Sequence, residues 1–408
     1  MTTSTRTLTA LVAPAIAAVV LLAGGTDARA QGVSNADPTT FAFRLGPLLL
    51  TPGLQITEIG ADNNVFNEAV DPKQDYVIAA APDLTGFMRL RFMRISFATG
   101  AAFTYYREYE SERSVGQQMS GRIDFLLGRL QPFVNASRAN SFARPNKEVD
   151  ARAEHLSPLL QAGVSYELSP TSNVFAGASR SQVQYRAGET FANVALDQAL
   201  NHRTDVYDVG LFSSVTPLTS IRVTASYQEE IFDFEPERNS TSRVGTVQLQ
   251  FGPDAIFRGN FSLGFRDFKT KDPEVRPYQG LIATGTVTIP VLDRGSLLTL
   301  VQRDVQTSFD KNESYFVNTE VSLTYTHRVL GPFDLQVMGT YGTLGYGKRE
   351  GRLPKQETVQ SFGGGLGYNL RDQSRLGLNY EQVDRRSNVE SDRAYAKNRV
   401  YGSWTYRF

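Results

Sequence analysis

Ile221-Arg222-Val223-Thr224-Ala225-Ser226-Tyr227-Gln228-Glu229-Glu230-Ile231 is the stretch that decides the fold. Ile221, Val223, Ala225, Tyr227 and Ile231 lie on one side of an extended chain. Arg222, Thr224, Ser226, Gln228 and Glu230 lie on the other, and only Glu229, near one end, intrudes on the apolar side. A helix repeats about every 3.6 residues and cannot sort these side chains onto two faces, whereas a strand, alternating at every residue, does.

The same alternation recurs along the chain. Phe257, Phe261, Leu263 and Phe265 oppose Arg258, Asn260, Ser262 and Arg266. Leu376, Leu378 and Tyr380 oppose Arg375, Asn379 and Glu381, and Ile123, Phe125 and Leu127 oppose Arg122 and Asp124. From about Leu45 to Phe408 these runs are joined by two kinds of connection. Short ones carry turn chemistry: Gly128-Arg129, Ser169-Pro170-Thr171-Ser172, Thr216-Pro217-Leu218-Thr219, Gly252-Pro253-Asp254, Leu292-Asp293-Arg294, Leu330-Gly331-Pro332 and Arg371-Asp372-Gln373, with one more needed near Arg89–Phe92. Long, charged ones fall near 66–75, 107–116, 144–153, 187–203, 233–241, 269–277, 309–313, 347–356 and 387–394. Eight short turns and nine long loops predict about eighteen antiparallel strands, an even number that puts both termini at the same end.

Such strands need one apolar and one polar environment. In hydrocarbon every backbone N–H and C=O must be paired within the protein, so only helices or closed sheets survive there. Closure also removes the sheet edges. The expected fold is therefore an all-β, transmembrane antiparallel barrel of the bacterial outer membrane, with outer-membrane lipid as its surroundings and a polar lumen. Composition agrees. The 42 Lys+Arg balance 42 Asp+Glu, which removes the basic field of a nucleic-acid binder. With no cysteine there are no disulfides, thiolate metal sites or Cys nucleophile, and the three histidines, His155, His202 and His327, have no evident partners. No enzyme activity, metal or cofactor is expected.

Residues 1–30 read as a signal peptide: Arg6 is followed by the apolar run Ala10–Ala23 and by Ala28-Arg29-Ala30, a small-x-small cleavage site. Residues 31–43 then form a short periplasmic segment and 44–408 the barrel. The last strand alternates Val400, Trp404, Tyr406 and Phe408 with Arg399, Ser403, Thr405 and Arg407. Trp404, Tyr406 and Phe408 resemble the terminal signal read by the barrel assembly machinery, a second expected partner.

The pore-lining candidates are the charged residues of the polar faces: Arg122, Asp124, Arg222, Arg258, Arg266, Arg375, Glu381 and Arg399. Val223, Leu263, Leu378 and Trp404 should face lipid, and Arg222, Arg258, Asn379 and Thr405 the lumen. Tyr105, Tyr106 and Tyr109 read as a girdle at the membrane boundary, the alternative being rings that stack on sugars. The longest loop, Ala187–Arg203, with a helical turn or two over Glu189–Asp197, either folds into the lumen and narrows it or stays an outer loop, and it is the one candidate for a porin constriction. Its acids, Glu189 and Asp197, lack the opposed basic residues of a porin eyelet.

Arg44–Phe66, RLGPLLLTPGLQITEIGADNNVF, carries a resemblance. Gly46-Pro47, Pro52 and Asp62-Asn63-Asn64-Val65-Phe66 resemble the opening of outer-membrane barrels of the β-barrel porin 2 type, which are often encoded among exopolysaccharide and capsule genes. The resemblance implies a passive conduit for export or assembly of surface polysaccharide, fed by a periplasmic polysaccharide-export protein, with no catalytic residues. A general or solute-selective diffusion porin fits the same polar lumen, and so does a structural or adhesive barrel with a closed one.

Overall fold

The computed structural model describes residues 43–310, 312–347, 354–371 and 374–407. The expected leader 1–30, nearly all of the segment 31–43, the turn at Asp372-Gln373, most of the 347–356 loop and Phe408 lie outside the described residues. Eighteen long strands form one closed antiparallel barrel, joined at its start by the three-residue strand Phe43–Leu45. The strands are β1 (Leu48–Asp62), β2 (Asp75–Arg89), β3 (Met93–Tyr106), β4 (Ser114–Phe125), β5 (Leu130–Ala143), β6 (Ala153–Ser169), β7 (Ser172–Tyr185), β8 (His202–Thr216) and β9 (Thr219–Phe232). They continue as β10 (Ser240–Phe251), β11 (Arg258–Thr270), β12 (Tyr278–Val291), β13 (Gly295–Thr307), β14 (Tyr315–Leu330), β15 (Phe333–Tyr346), β16 (Gln356–Arg371), β17 (Ser374–Ser387) and β18 (Tyr395–Arg407).

Each strand pairs with its chain neighbour, and β1 pairs with β18 to close the ring, from Gly53 opposite Arg407 to Asp62 opposite Arg399. Short turns gather at one end. Two of them rest on glycines with positive φ, Gly128 at +67° and Gly331 at +54°, where a side chain would be strained. The long loops gather at the other, outer, end. Phe257, expected to open a strand, instead ends the turn before β11.

Side-chain direction follows the alternation. Val223, Leu263 and Leu378 stand exposed on the outside, while Asn379 is 5% exposed and donates to Ser403 Oγ inside. Trp404 shares the outer face with Ser374, to whose Oγ it donates at 2.9 Å. The register shift between Ile56 and Ile59 is a bulge that sets Glu58 inward, against Arg399.

The closing seam explains the Asp62–Phe66 motif. Asp62 Oδ1 accepts from the Asn64 amide at 2.9 Å, which turns the chain out of β1. Asn64 Nδ2 donates to Glu68 O at 2.9 Å and to Ala396 O at 3.2 Å, and Asn63 exchanges bonds with Asn398. These residues therefore tie the first strand to the last. Phe66 meets Tyr109 edge-on with centroids 4.9 Å apart.

One part of the wall departs from regularity. Pairing of β12 with β13 stops at Ala283–Arg303, but β13 stays paired with β14 as far as Thr307–Tyr315. Leu281 O, freed from the ladder, accepts from Arg303 Nε at 3.1 Å and Tyr278 OH at 2.8 Å. Tyr315 belongs to the outward row of β14, yet its ring lies 5.0 Å from Phe268, which belongs to the inward row of β11. Thr307 likewise reaches the inward-facing Glu230 at 3.0 Å. The tip of the β13–β14 hairpin has thus turned into the lumen.

Candidate functional site: a segment spanning the lumen

The loop between β5 and β6, residues 144–152, crosses the barrel. Its reversal is local chemistry: Asn146 Oδ1 accepts from the amides of Glu148 and Val149, both at 2.8 Å. Arg144 closes the neck, donating to Asp150 O at 2.7 Å and to Val65 O at 2.8 Å. Arg152 stacks 4.7 Å over the Tyr106 ring and pairs with Glu112 at 2.6 Å.

The far side of the loop meets the opposite wall. Lys147 Nζ lies 3.2 Å from Glu320 on β14, nine places from β5 round a ring of eighteen strands. Arg385 on β17 donates to Lys147 O at 2.8 Å and pairs with Asp150 at 2.9 Å. Arg393 donates to Glu148 O at 2.6 Å. Arg385 and Arg393 converge on Glu357, whose side chain is fully buried. Charges so deeply buried persist because they are paired.

At the centre, Glu148 is fully buried. Ser308 Oγ donates to its carboxylate at 2.6 Å and the Phe309 amide at 3.0 Å, from the inturned β13–β14 tip. Burial nevertheless pushes its carboxyl up to about 7, outweighing those bonds and the nearby cations Arg393 and Lys355. Beside it Val149 packs in a dry cluster with Leu196, Ala199, Leu200, Tyr185 and Phe309. Phe191 meets Phe309 edge-on at 4.9 Å. Each large apolar side chain so buried contributes about 1.5–3 kcal/mol. Three loops therefore pack together into one roof inside the outer lumen.

This corrects the expectation that Ala187–Arg203 is the one candidate for an inward constriction. That loop does pack into the roof, but the segment that spans the lumen is 144–152. Nor is Glu189–Asp197 mainly helical: Thr190–Phe191 pairs with Val194–Ala195 as a small hairpin, and the helix is Leu196–Leu200. The tyrosine girdle is corrected as well. Tyr105 faces outward, but Tyr106 is 2% exposed under Arg152 and Tyr109 packs with Phe66 in a loop cluster.

The charged residues expected to line the pore lie on the inward rows, and neighbouring strands tie most of them down. Arg122 pairs with Asp124 at 2.8 Å and stacks 4.0 Å over Phe133. Arg266 pairs with Asp304 at 3.0 Å and Arg375 with Asp334 at 2.7 Å. Arg399 bridges Glu381 and Glu58. Arg222 has Phe175 at 4.6 Å and Phe212 at 5.6 Å from its guanidinium carbon. Arg258 lies level with Thr288 at the turn end. The histidines contact carbonyls, a carboxylate and a phenol: His155 meets Ala153 O, His202 meets Leu200 O and Glu230, and His327 meets Tyr325 OH. Among the described residues no group of three His, Asp or Glu could hold a metal ion.

Sequence reasoning missed Lys147, Glu148, Glu357, Arg385 and Arg393. The one local signal was Val149, a β-branched apolar residue set between Glu148 and Asp150 in a charged loop.

Residues 39–408 match the family described as "Putative beta-barrel porin 2". The chain belongs to that family. It resides in the bacterial outer membrane. No curated protein matches it in sequence. Among solved structures it is similar to the OccK1 (OpdK) porin of Pseudomonas aeruginosa, at 9% identity and TM-score 0.50, over 88% of this chain and 99% of that one. OccAB4 of Acinetobacter baumannii gives 11% identity and TM-score 0.48, over 91% and 100%. A BenF-like porin of Pseudomonas fluorescens Pf-5 gives 10% and 0.49, over 88% and 99%. At such identities the likeness is one of fold.

Proposed function

We propose that this porin is a passive diffusion channel for small hydrophilic solutes, narrowed by residues 144–152. The observation that carries the reading is the span from the β5–β6 loop to Glu320 and Arg385. A hydrated polymer would have to displace that segment and break its buried ion pairs, whereas a small solute would pass beside it. Inward rows rich in ion pairs, amides and hydroxyls suit hydrophilic cargo.

Export of surface polysaccharide, implied by the resemblance to barrels of polysaccharide loci, is disfavoured by the same span. It would need both an opening of the roof and a periplasmic partner that delivers the polymer. Swelling of liposomes containing the purified porin separates the two readings. Mono- and disaccharides should enter and long glycans should not. In cells, deletion of the gene should lower small-solute permeability and leave surface glycan intact. Loss of exported glycan with unchanged permeability would reverse the choice.

A further inference from the structure

Tyr207 on β8 and Tyr227 on β9 pair directly across the strands on the lipid face, and both are exposed. Rings so placed mark the boundary between hydrocarbon and headgroups. One step outward on the same face, Asp205 is flanked by Arg180 of β7 and Glu229 of β9. Arg180 Nε lies 2.6 Å and Arg203 Nε 3.2 Å from the Asp205 carboxylate. The Asp205 side chain is 11% exposed, against 57% for Arg180 and 36% for Arg203, so the acid is covered and the cations face out.

The arrangement repeats on β10 and β11. Arg243 pairs across the strands with Asp267, and Lys269 Nζ lies 3.5 Å from Asp267. Lys269 is 55% exposed and Asp267 25%. Arg303 of β13 stands eight residues from the turn end of its strand, as Arg243 does on β10. Beyond it, at the same register, the wall turns neutral through Thr319, Thr343 and Thr358 before Arg386. A single cation at this height is ordinary snorkelling. Two adjacent clusters that each hold two outward cations round a covered acid, with Glu229 as the one further acid beside the first, are not explained that way.

We propose that the outer rim of β7–β11, extended by Arg303, docks the phosphorylated glycolipid of the outer leaflet. Arg180, Arg203, Arg243 and Lys269 take its phosphates by charge-assisted hydrogen bonds. The apolar strip below, with Val209, Val223, Val247 and Leu263, takes its acyl chains. The covered acids hold the cations in place, and with Glu229 beside Asp205 the two clusters set four cations against three acids, leaving the arc net positive.

The test uses the full porin in detergent micelles, with bound lipid read by native mass spectrometry. Diphosphoryl lipid A should be retained about tenfold better than dephosphorylated lipid A. Inorganic phosphate at equal concentration should not displace it. The R180Q/R203Q/R243Q/K269Q variant should lose the preference, and the Arg386→Gln control should keep it. If the fourfold variant does not yield a heat-modifiable barrel, Arg243→Gln alone should weaken retention several-fold. Equal retention of the two lipids by the wild type, displacement by inorganic phosphate, or an undiminished preference in the folded variants overturns the proposal.

Discussion

Ser308 Oγ lies 2.6 Å from Glu148 Oε1, joining two loops that leave the wall on opposite sides of the barrel. The bond matters because the carboxyl it holds is fully buried and titrates high, at about 7 instead of 4.5. The docked loop therefore binds its proton more tightly than a free one. Docking is firmest below the ordinary carboxylate value and weakens as pH climbs from 4.5 to about 7, with no further change above that.

Conductance should accordingly rise over that pH window and level off above it. Glu148→Gln is neutral throughout, so its conductance should stay at the low-pH value at all pH. Single-channel recordings at a series of pH values check this. An unaltered pH profile in Glu148→Gln would assign the titration to another group.

The barrel itself was legible in the sequence because the alternation has a physical cause that acts at every residue. Val223 and Arg222 must part if one side of the wall is hydrocarbon. The turns were legible for the same local reason, in residues such as Gly331 and Pro170. The spanning loop was not. Apart from Val149, nothing in Asn146-Lys147-Glu148-Val149-Asp150 distinguishes a solvated loop from a docked one, since its partners lie 160 residues away at Ser308 and 235 away at Arg385. Loop length pointed to Ala187–Arg203, but reach depends on what a loop can bind across the lumen. Tyr106 was misplaced by one residue of parity: Tyr105 faces lipid and its neighbour must face in.

Arg385→Met should destabilise the roof by about 3–5 kcal/mol, because it leaves Glu357 buried and short of one of its two cations. The observation behind this is that the side chains are 1% and 0% exposed. Limited trypsin digestion should cut at Lys147 in the variant and spare it in the wild type. Equal resistance would mean that Arg393 alone holds Glu357.

The wall should discriminate sharply between neighbouring positions. Val223→Arg places a charge in hydrocarbon and should cost about 2–4 kcal/mol if near the midplane. Thr224→Arg, one residue on, points into the lumen and should cost little. Urea unfolding in lipid vesicles measures both, and similar losses would contradict the assigned faces.

Asn64→Ala should loosen the closing seam. It removes the bonds to Glu68 and Ala396 and leaves buried groups unsatisfied, a loss of about 1–3 kcal/mol. The temperature at which the folded band disappears in gel electrophoresis should fall relative to wild type. An unchanged temperature would show that Asp62 and Asn63 suffice to close the ring.

The central claim is that residues 144–152 narrow the bore, and the most direct measurement is the single-channel conductance of the purified porin with residues 146–150 replaced by a short glycine linker. Conductance should increase, and disaccharides that pass slowly through the wild type should pass freely. Unchanged conductance in a correctly folded variant would contradict the account, because the span from Lys147 to Glu320 would then lie off the solute's path.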